Sequence, residues 1–222
     1  MEELARSGHP LAALITAAAD RRFPVADGGW RRVPPWRPEL EAVVSFTGHA
    51  VMVLGDDMPE GRLDASTIDG FGGAHDPRVI TALAGPDAWI DSLDALLVRR
   101  GAGGTPRLVP RPDLAHHPRA QFAARIRDDI GIFGYPEGRR SALAVIGRGV
   151  AGLPEISFEI ETDRRGGGTA LVQDALGLVP SEQLVVAAVA PGNAASLRAL
   201  LTAGFVPVGS MQLFRRDVPV IP

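Results

Sequence analysis

The spacing of apolar positions along the chain changes period several times, and each change marks an element. Leu11 to Arg22 is a run of good helix formers, with Ser7 as a cap ahead of Pro10 and Pro24 as a stop. Glycine, proline and tryptophan make a loop of Asp27 to Pro38. The β-branched residues of Glu41 to Leu54 then predict two short strands in a hairpin turning near Gly48. A polar connection, Asp64 to Gly73, leads to helical patterns at Pro77 to Ala84 and Asp87 to Arg100, followed by a loop from Gly101 to Pro112. Phe122, Ile126 and Ile130 recur at fourfold spacing, which predicts a helix over Pro118 to Ile130.

From there the period shortens to that of strands: Gly131 to Phe133, Ser141 to Arg148 and Glu155 to Glu161, parted by turns at Pro136-Glu-Gly and Gly149 to Pro154. A glycine run follows, then a helix at Thr169 to Leu178, a strand at Gln183 to Ala190, a helix at Ala194 to Ala203 and a strand pair around Val206 to Arg215. A meander followed by alternating helices and strands predicts an α/β chain, in the α+β sense of a mixed sheet carrying helices.

Composition narrows the partners. A chain of 222 residues with 45% apolar and 22% charged positions suits one sizeable soluble domain or two small ones. The net charge of -3 argues against nucleic-acid and anionic-membrane partners, both of which demand a concentrated basic surface. Without cysteine there is no disulfide, no thiolate metal site and no thiol nucleophile, and His49 and His75 are too isolated to read as metal ligands. The apolar run Leu11 to Ala19 is far short of the ~20 residues of a membrane span, and Glu2 and Glu3 stand where a signal peptide carries positive charge. A cytoplasmic protein with no metal is expected.

The chemistry concentrates in Glu155-Ile-Ser-Phe-Glu-Ile-Glu-Thr-Asp-Arg-Arg-Gly-Gly-Gly-Thr-Ala-Leu-Val. In the strand, Ile156, Phe158 and Ile160 point one way and Glu155, Ser157 and Glu159 the other. Passing through Gly166, Gly167 and Gly168 into a helix aims unpaired backbone N–H groups at one point, with the positive end of the helix dipole behind them. That arrangement suits a pyrophosphate. A glycine triplet also makes a plain loop or opens a dinucleotide site, although Gly166 to Gly168 do not carry the Gly-x-Gly-x-x-Gly spacing.

A second segment, Val189-Ala-Pro-Gly-Asn193-Ala-Ala-Ser196-Leu-Arg-Ala-Leu200-Leu-Thr-Ala-Gly204-Phe205, makes the reading specific. With the first, it resembles the GNAT superfamily of acyl-CoA N-acyltransferases from Glu155 to about Phe214, and the preceding elements match by order. The resemblance implies the GNAT fold, a mixed sheet whose central strands splay apart. The pantetheine arm of acetyl-CoA, the co-substrate, enters between them. Glu159 and Ile160 would offer it backbone, Arg164, Arg165, Gly166, Gly167, Gly168 and Thr169 would hold the pyrophosphate, and Asn193 and Ser196 would contact the arm. Asn193 reads equally well as a helix cap.

The family's Gln/Arg-x-x-Gly-x-Gly/Ala motif fits in a register that puts Asp163 first, with Gly166 and Gly168 on the glycines; Arg165, Gly168 and Ala170 fit it literally but shift the helix start. By the same resemblance Glu155 stands where histone-type members carry a general base, and an exposed strand-end glutamate is the other reading. The usual acid, a tyrosine, is replaced by Leu200, and the one tyrosine is Tyr135. His116-His117-Pro-Arg either lines the acceptor pocket or caps the helix that follows it. The implied division is an extended N-terminal segment, 1–116, on the acceptor side and an acyl-CoA core, 117–222. The implied activity is direct transfer to a small-molecule or peptide amine, since no acyl-cysteine can form. A weak or non-catalytic acyl-CoA-binding protein is the alternative, and a homodimer is left open.

Overall fold

In the computed structural model, which describes residues 8–58, 68–105, 107–136, 142–160 and 166–216, the first helix, α1 (Pro10–Ala19), is capped by His9. The His9 Nδ1 accepts from the Leu11 N–H at 3.2 Å. Ser7, read as the cap, lies outside the described residues. The glycine- and proline-rich stretch after it contains a strand, β1 (Trp30–Val33), where a loop was expected. The hairpin forms as read, with β2 (Glu41–Phe46) and β3 (His49–Val53) joined at Gly48, whose φ of 70° suits a residue without Cβ. β1 runs parallel to β3, from Trp30 beside Ala50 to Val33 beside Val53. That long-range pairing leaves little local trace in a four-residue strand.

α2 (Pro77–Ala84) is capped by Asp76. The helix expected over Asp87 to Arg100 is instead two strands, β4 (Trp89–Ile90) and β5 (Asp94–Arg100). The consecutive Leu96, Leu97 and Val98 are all buried, which an interior strand covered on both faces accommodates and an amphipathic surface helix does not. A short strand, β6 (Val109–Pro110), lies within the second predicted loop. α3 (Pro118–Ile126) stops four residues early because the next strand, β7 (Asp128–Gly134), takes the backbone over. Its buried face is Ala120, Ala123 and Ile126, while Phe122 stays partly exposed. Then follow β8 (Ala142–Arg148), β9 (Pro154–Ile160), α4 (Gly167–Leu176), β10 (Leu184–Val189), α5 (Ala194–Thr202) and one ten-residue strand, β11 (Val206–Arg215), in place of the expected pair. No helix among the described residues is long and apolar enough to cross a membrane.

The chain divides into two compact units, one made of Leu97–Pro207 and the other of His9–Leu96 with the residues from Val208 onward. This division differs from the 116/117 boundary read from the sequence, because β5 lies in a sheet beside β10. In the Leu97–Pro207 unit the strand order is β5-β10-β9-β8-β7-β6; β8 is antiparallel to β7 and to β9, whereas β9 and β10 are parallel. In the other unit the order is β1-β3-β2-β11, with β4 on β11. Its core gathers Met52, Leu54, Ile80, Leu83 and Phe214.

At the edge of that core His75 Nε2 lies 3.1 Å from Ser210 Oγ, and its Nδ1 is buried with no partner among the described residues. Burial pushes the imidazole down to about 4. Its folded value is thus below the ordinary value of about 6.5, so between those limits the unfolded chain takes up a proton that the folded chain refuses. Stability should fall as pH drops through 6.5 toward 4, by up to about 3 kcal/mol from this group. Asp76, held down to about 2 by Arg78, titrates below that window. Denaturant unfolding of His75→Gln should show a flatter profile between pH 6.5 and 4; an unchanged profile would mean that another group sets it.

Candidate functional site

The polar and apolar alternation of β9 sorts its side chains onto two differently covered faces. On one face Phe158 and Ile160 lie under α4, where a Cβ built on Gly168 would stand 3.5 Å from the Phe158 ring and 3.4 Å from Ala199 of α5. A Cβ at Gly168 would thus make ordinary van der Waals contact with both β9 and α5. On the other face Glu159 meets Arg119 of α3 at 3.0 Å, and its second oxygen lies 3.8 Å from His117 Nε2. His117 also caps α3, accepting from the Arg119 N–H at 3.2 Å.

Glu155, expected to be a base, is 3% exposed and closed in. Arg127 Nη2 donates to its Oε1 at 2.6 Å, and the Val150 N–H donates to its Oε2 at 3.0 Å. Arg127 Nη1 also donates to Ser157 Oγ at 2.9 Å, leaving its buried Nε–H with no partner among the described residues. Gly149 is required here, since a Cβ would fall 1.9 Å from Glu155 Oε2. With one hydrogen bond on each oxygen and the side chain buried, the carboxylate is held as one half of a buried ion pair, closed off from solvent in this arrangement.

The same residue marks where two strands part. The register between the parallel strands β9 and β10 is the single pair Glu155 and Val186, although β9 continues to Ile160 and β10 to Val189. On its other side β9 pairs with β8 along its whole length, from Pro154 opposite Arg148 to Ile160 opposite Ala142. Alternate residues of Ile156–Ile160 thus turn their N–H and C=O groups toward a side where β10 has diverged. Glu159 and Ile160 lie on this stretch.

At the open end stands the N-terminus of α4. Gly166 is its N-cap, in the left-handed region at φ 82°, and a Cβ there would meet nothing within 4 Å. The N-caps of α1, α2, α3 and α5 each turn a side chain back onto a helix N–H, whereas Gly166 has none to offer. The first intrahelical bond of α4 runs from the Ala170 N–H to the Gly166 carbonyl, so the amides of Gly167, Gly168 and Thr169 lie ahead of the ladder. Arg164 and Arg165, read as pyrophosphate ligands, lie outside the described residues.

Asn193 takes its cap role: its Oδ1 accepts from the Ser196 N–H at 3.1 Å. Leu200, at the position read for an acid, is buried in the core. The Tyr135 hydroxyl donates to Asp174 of α4 at 2.7 Å. Reasoning from the sequence missed Arg127, whose one signal was its place between a helix and a strand, a position it shares with many surface arginines. No group of three or more His, Asp or Glu among the described residues could hold a metal ion.

No family model matches the chain, and no curated protein matches it. Solved structures similar to it include a GNAT-family putative acetyltransferase from Novosphingobium aromaticivorans, 18% identical with a TM-score of 0.42 over 61% of this chain and 70% of that one. A GCN5-related N-acetyltransferase from Kribbella flavida is 16% identical with a TM-score of 0.38, over 66% of this chain and 64% of that one. A GNAT-family acetyltransferase from Colwellia psychrerythraea is 12% identical with a TM-score of 0.36, over 58% of this chain and 57% of that one.

Removing one member of the buried pair strands the other's charge. Arg127→Met should cost about 3–5 kcal/mol in denaturant unfolding. The double variant Arg127→Met with Glu155→Leu should recover most of that loss. A single substitution costing under about 1 kcal/mol, the size of an exposed pair, would show that the pair does not hold the strand.

Proposed function

We propose that this chain is an acyl-CoA-dependent N-acyltransferase that moves an acetyl group from acetyl-CoA to an amine. The observation that carries the reading is the wedge between β9 and β10, opening from Glu155 toward an α-helix whose first amides carry no side-chain cap among the described residues. A pantetheine arm is an extended, amide-bearing chain, and a strand edge with turned-out N–H and C=O groups recognises such a chain by adding it as a further strand. A pyrophosphate is an anion that suits free amides at the positive end of a helix dipole. The two features lie one strand length apart, in the order that one coenzyme would need.

Within this reading Gly167, Gly168 and Thr169 hold the pyrophosphate through backbone N–H. Ile156–Ile160 hold the arm. Asn193 and Ser196 shape the start of α5. The acceptor nitrogen attacks the thioester carbonyl carbon, the C–N bond forms and the C–S bond breaks. The CoA thiolate leaves and takes a proton from water. The proton lost by the amine passes to water as well, because Glu155 is buried in its ion pair, and the thiolate turns to water because Leu200 supplies no acid. Glu155 is then a positioning residue in place of the base expected from the resemblance, and strand amides polarise the carbonyl.

A second reading, an acyl-CoA-binding or sensing protein, is favoured by the same closed Glu155 and buried Leu200. Both readings require coenzyme binding, and turnover separates them.

Gly166 offers a test that leaves packing alone, since its Cβ direction is open and Asn and Asp are the side chains that best tolerate its φ. Titration calorimetry should show CoA affinity falling at least tenfold in Gly166→Asp and much less in the neutral, same-shaped Gly166→Asn. Equal affinities in both variants would remove the anion site. Acetyl-CoA binding with no thiol released to any amine of a broad panel would favour the sensor.

A further inference from the structure

Behind the closed end of the wedge lies a cavity of about 620 Å³, within the ~300–1,000 Å³ typical of small-molecule sites. It lies on the face of β8 that carries Ile146, and Pro154 and Gln183, the residues just ahead of Glu155 and of β10, both line it. Phe133 and Leu178 make further apolar wall, and Asp129 and Arg148, paired at 3.0 Å with much of each side chain exposed, stand at its polar rim.

Two glycines and a bulge shape this cavity. A Cβ on Gly131 would stand 2.5 Å from Phe133 Cε2, so that glycine lets the aromatic ring lie along β7 as a wall. A Cβ on Gly147 would stand 2.8 Å from Ile130 Cγ2 and 2.9 Å from the Asp128 carbonyl oxygen, so that β7 and β8 approach closely only because it is absent. The register between them shifts between Asp128 and Gly131, with Asp129 at φ 51°, a left-handed conformation that residues with a side chain adopt at a cost. Bulges that re-aim a strand in this way gather next to binding sites.

We infer that this cavity holds the body of the acceptor, and that the acceptor is a primary amine carried on an aromatic or branched aliphatic body. The inference rests on the acyl-transfer reading. If the pyrophosphate lies at α4 and the arm runs back along β9, the thioester ends near Glu155 and Val186, beside the cavity's Pro154 and Gln183. A polar amine gains little from Phe133, Ile146 and Leu178, whereas each CH₂ of an apolar one that they take out of water adds to affinity. The nitrogen attacks the thioester carbon as described above, with the thiolate as leaving group.

Phenethylamine and ethanolamine, both primary amines, are the probes for the full-length protein. In a thiol-release assay with acetyl-CoA, KM for phenethylamine should be at least tenfold below that for ethanolamine. Leu178→Glu should raise the phenethylamine KM at least tenfold, leaving that for acetyl-CoA within twofold, and Gln183→Trp, which fills the cavity from its edge, should act alike. Equal KM values for the two amines would overturn the inference, as would a Leu178→Glu effect confined to the KM of hexanoyl-CoA, which would make the acyl chain the occupant. Binding is read separately, without coenzyme, from the amide NMR signals of Gly131 and Gly147 during phenethylamine titration. Saturable shifts without thiol release from any amine would end the transfer reading and the acceptor role while keeping an apolar-amine site; absent shifts would end the cavity's role while leaving coenzyme binding intact.

Discussion

The ion pair between Arg127 and Glu155 sits at the one point where β9 and β10 are in register, and the form of the wedge depends on what holds that point. Parallel strands left to themselves continue pairing, since each further residue satisfies an N–H and a C=O. Here a carboxylate on β9 is tied to the residue that ends α3, to the Val150 amide in the turn before β9 and, through Arg127, to Ser157 two residues further on. Such a pair gains little over a well-packed apolar substitute, yet is costly to break. Its retention in the interior fits a role in position more than in stability.

That position organises the rest of the candidate site. Past Glu155 the β9 backbone faces a gap, and past Ile160 the chain reaches a helix whose N-cap is a glycine in open space. Glu155, expected to be a base, is paired with Arg127 at the head of that gap. The geometry thus describes a gap between strands more fully than any proton transfer.

Much of this was legible because it is local. A period of two over Glu155–Glu161, a glycine triplet and an Asn-capped helix each leave a signature within a dozen residues, and β9, α4, β10 and α5 form within two residues of where the pattern put them. What was not legible is set by distant partners. β1 is a strand because β3 lies beside it, and β5 is a strand because both of its faces are covered. Asp94 to Arg100 has helix formers enough to mislead propensity, and only the tertiary setting overrides it. Glu155 shows a related limit: its position on the strand could be read, but the arginine paired with it comes from 28 residues upstream.

The most direct measurement is a crystal structure of the protein with CoA. The account predicts diphosphate oxygens accepting from the Gly167, Gly168 and Thr169 amides within ~3.2 Å, and a pantetheine arm paired with β9 between Glu155 and Ile160. Coenzyme bound elsewhere, or β10 paired along the full length of β9 with no gap to fill, would contradict it.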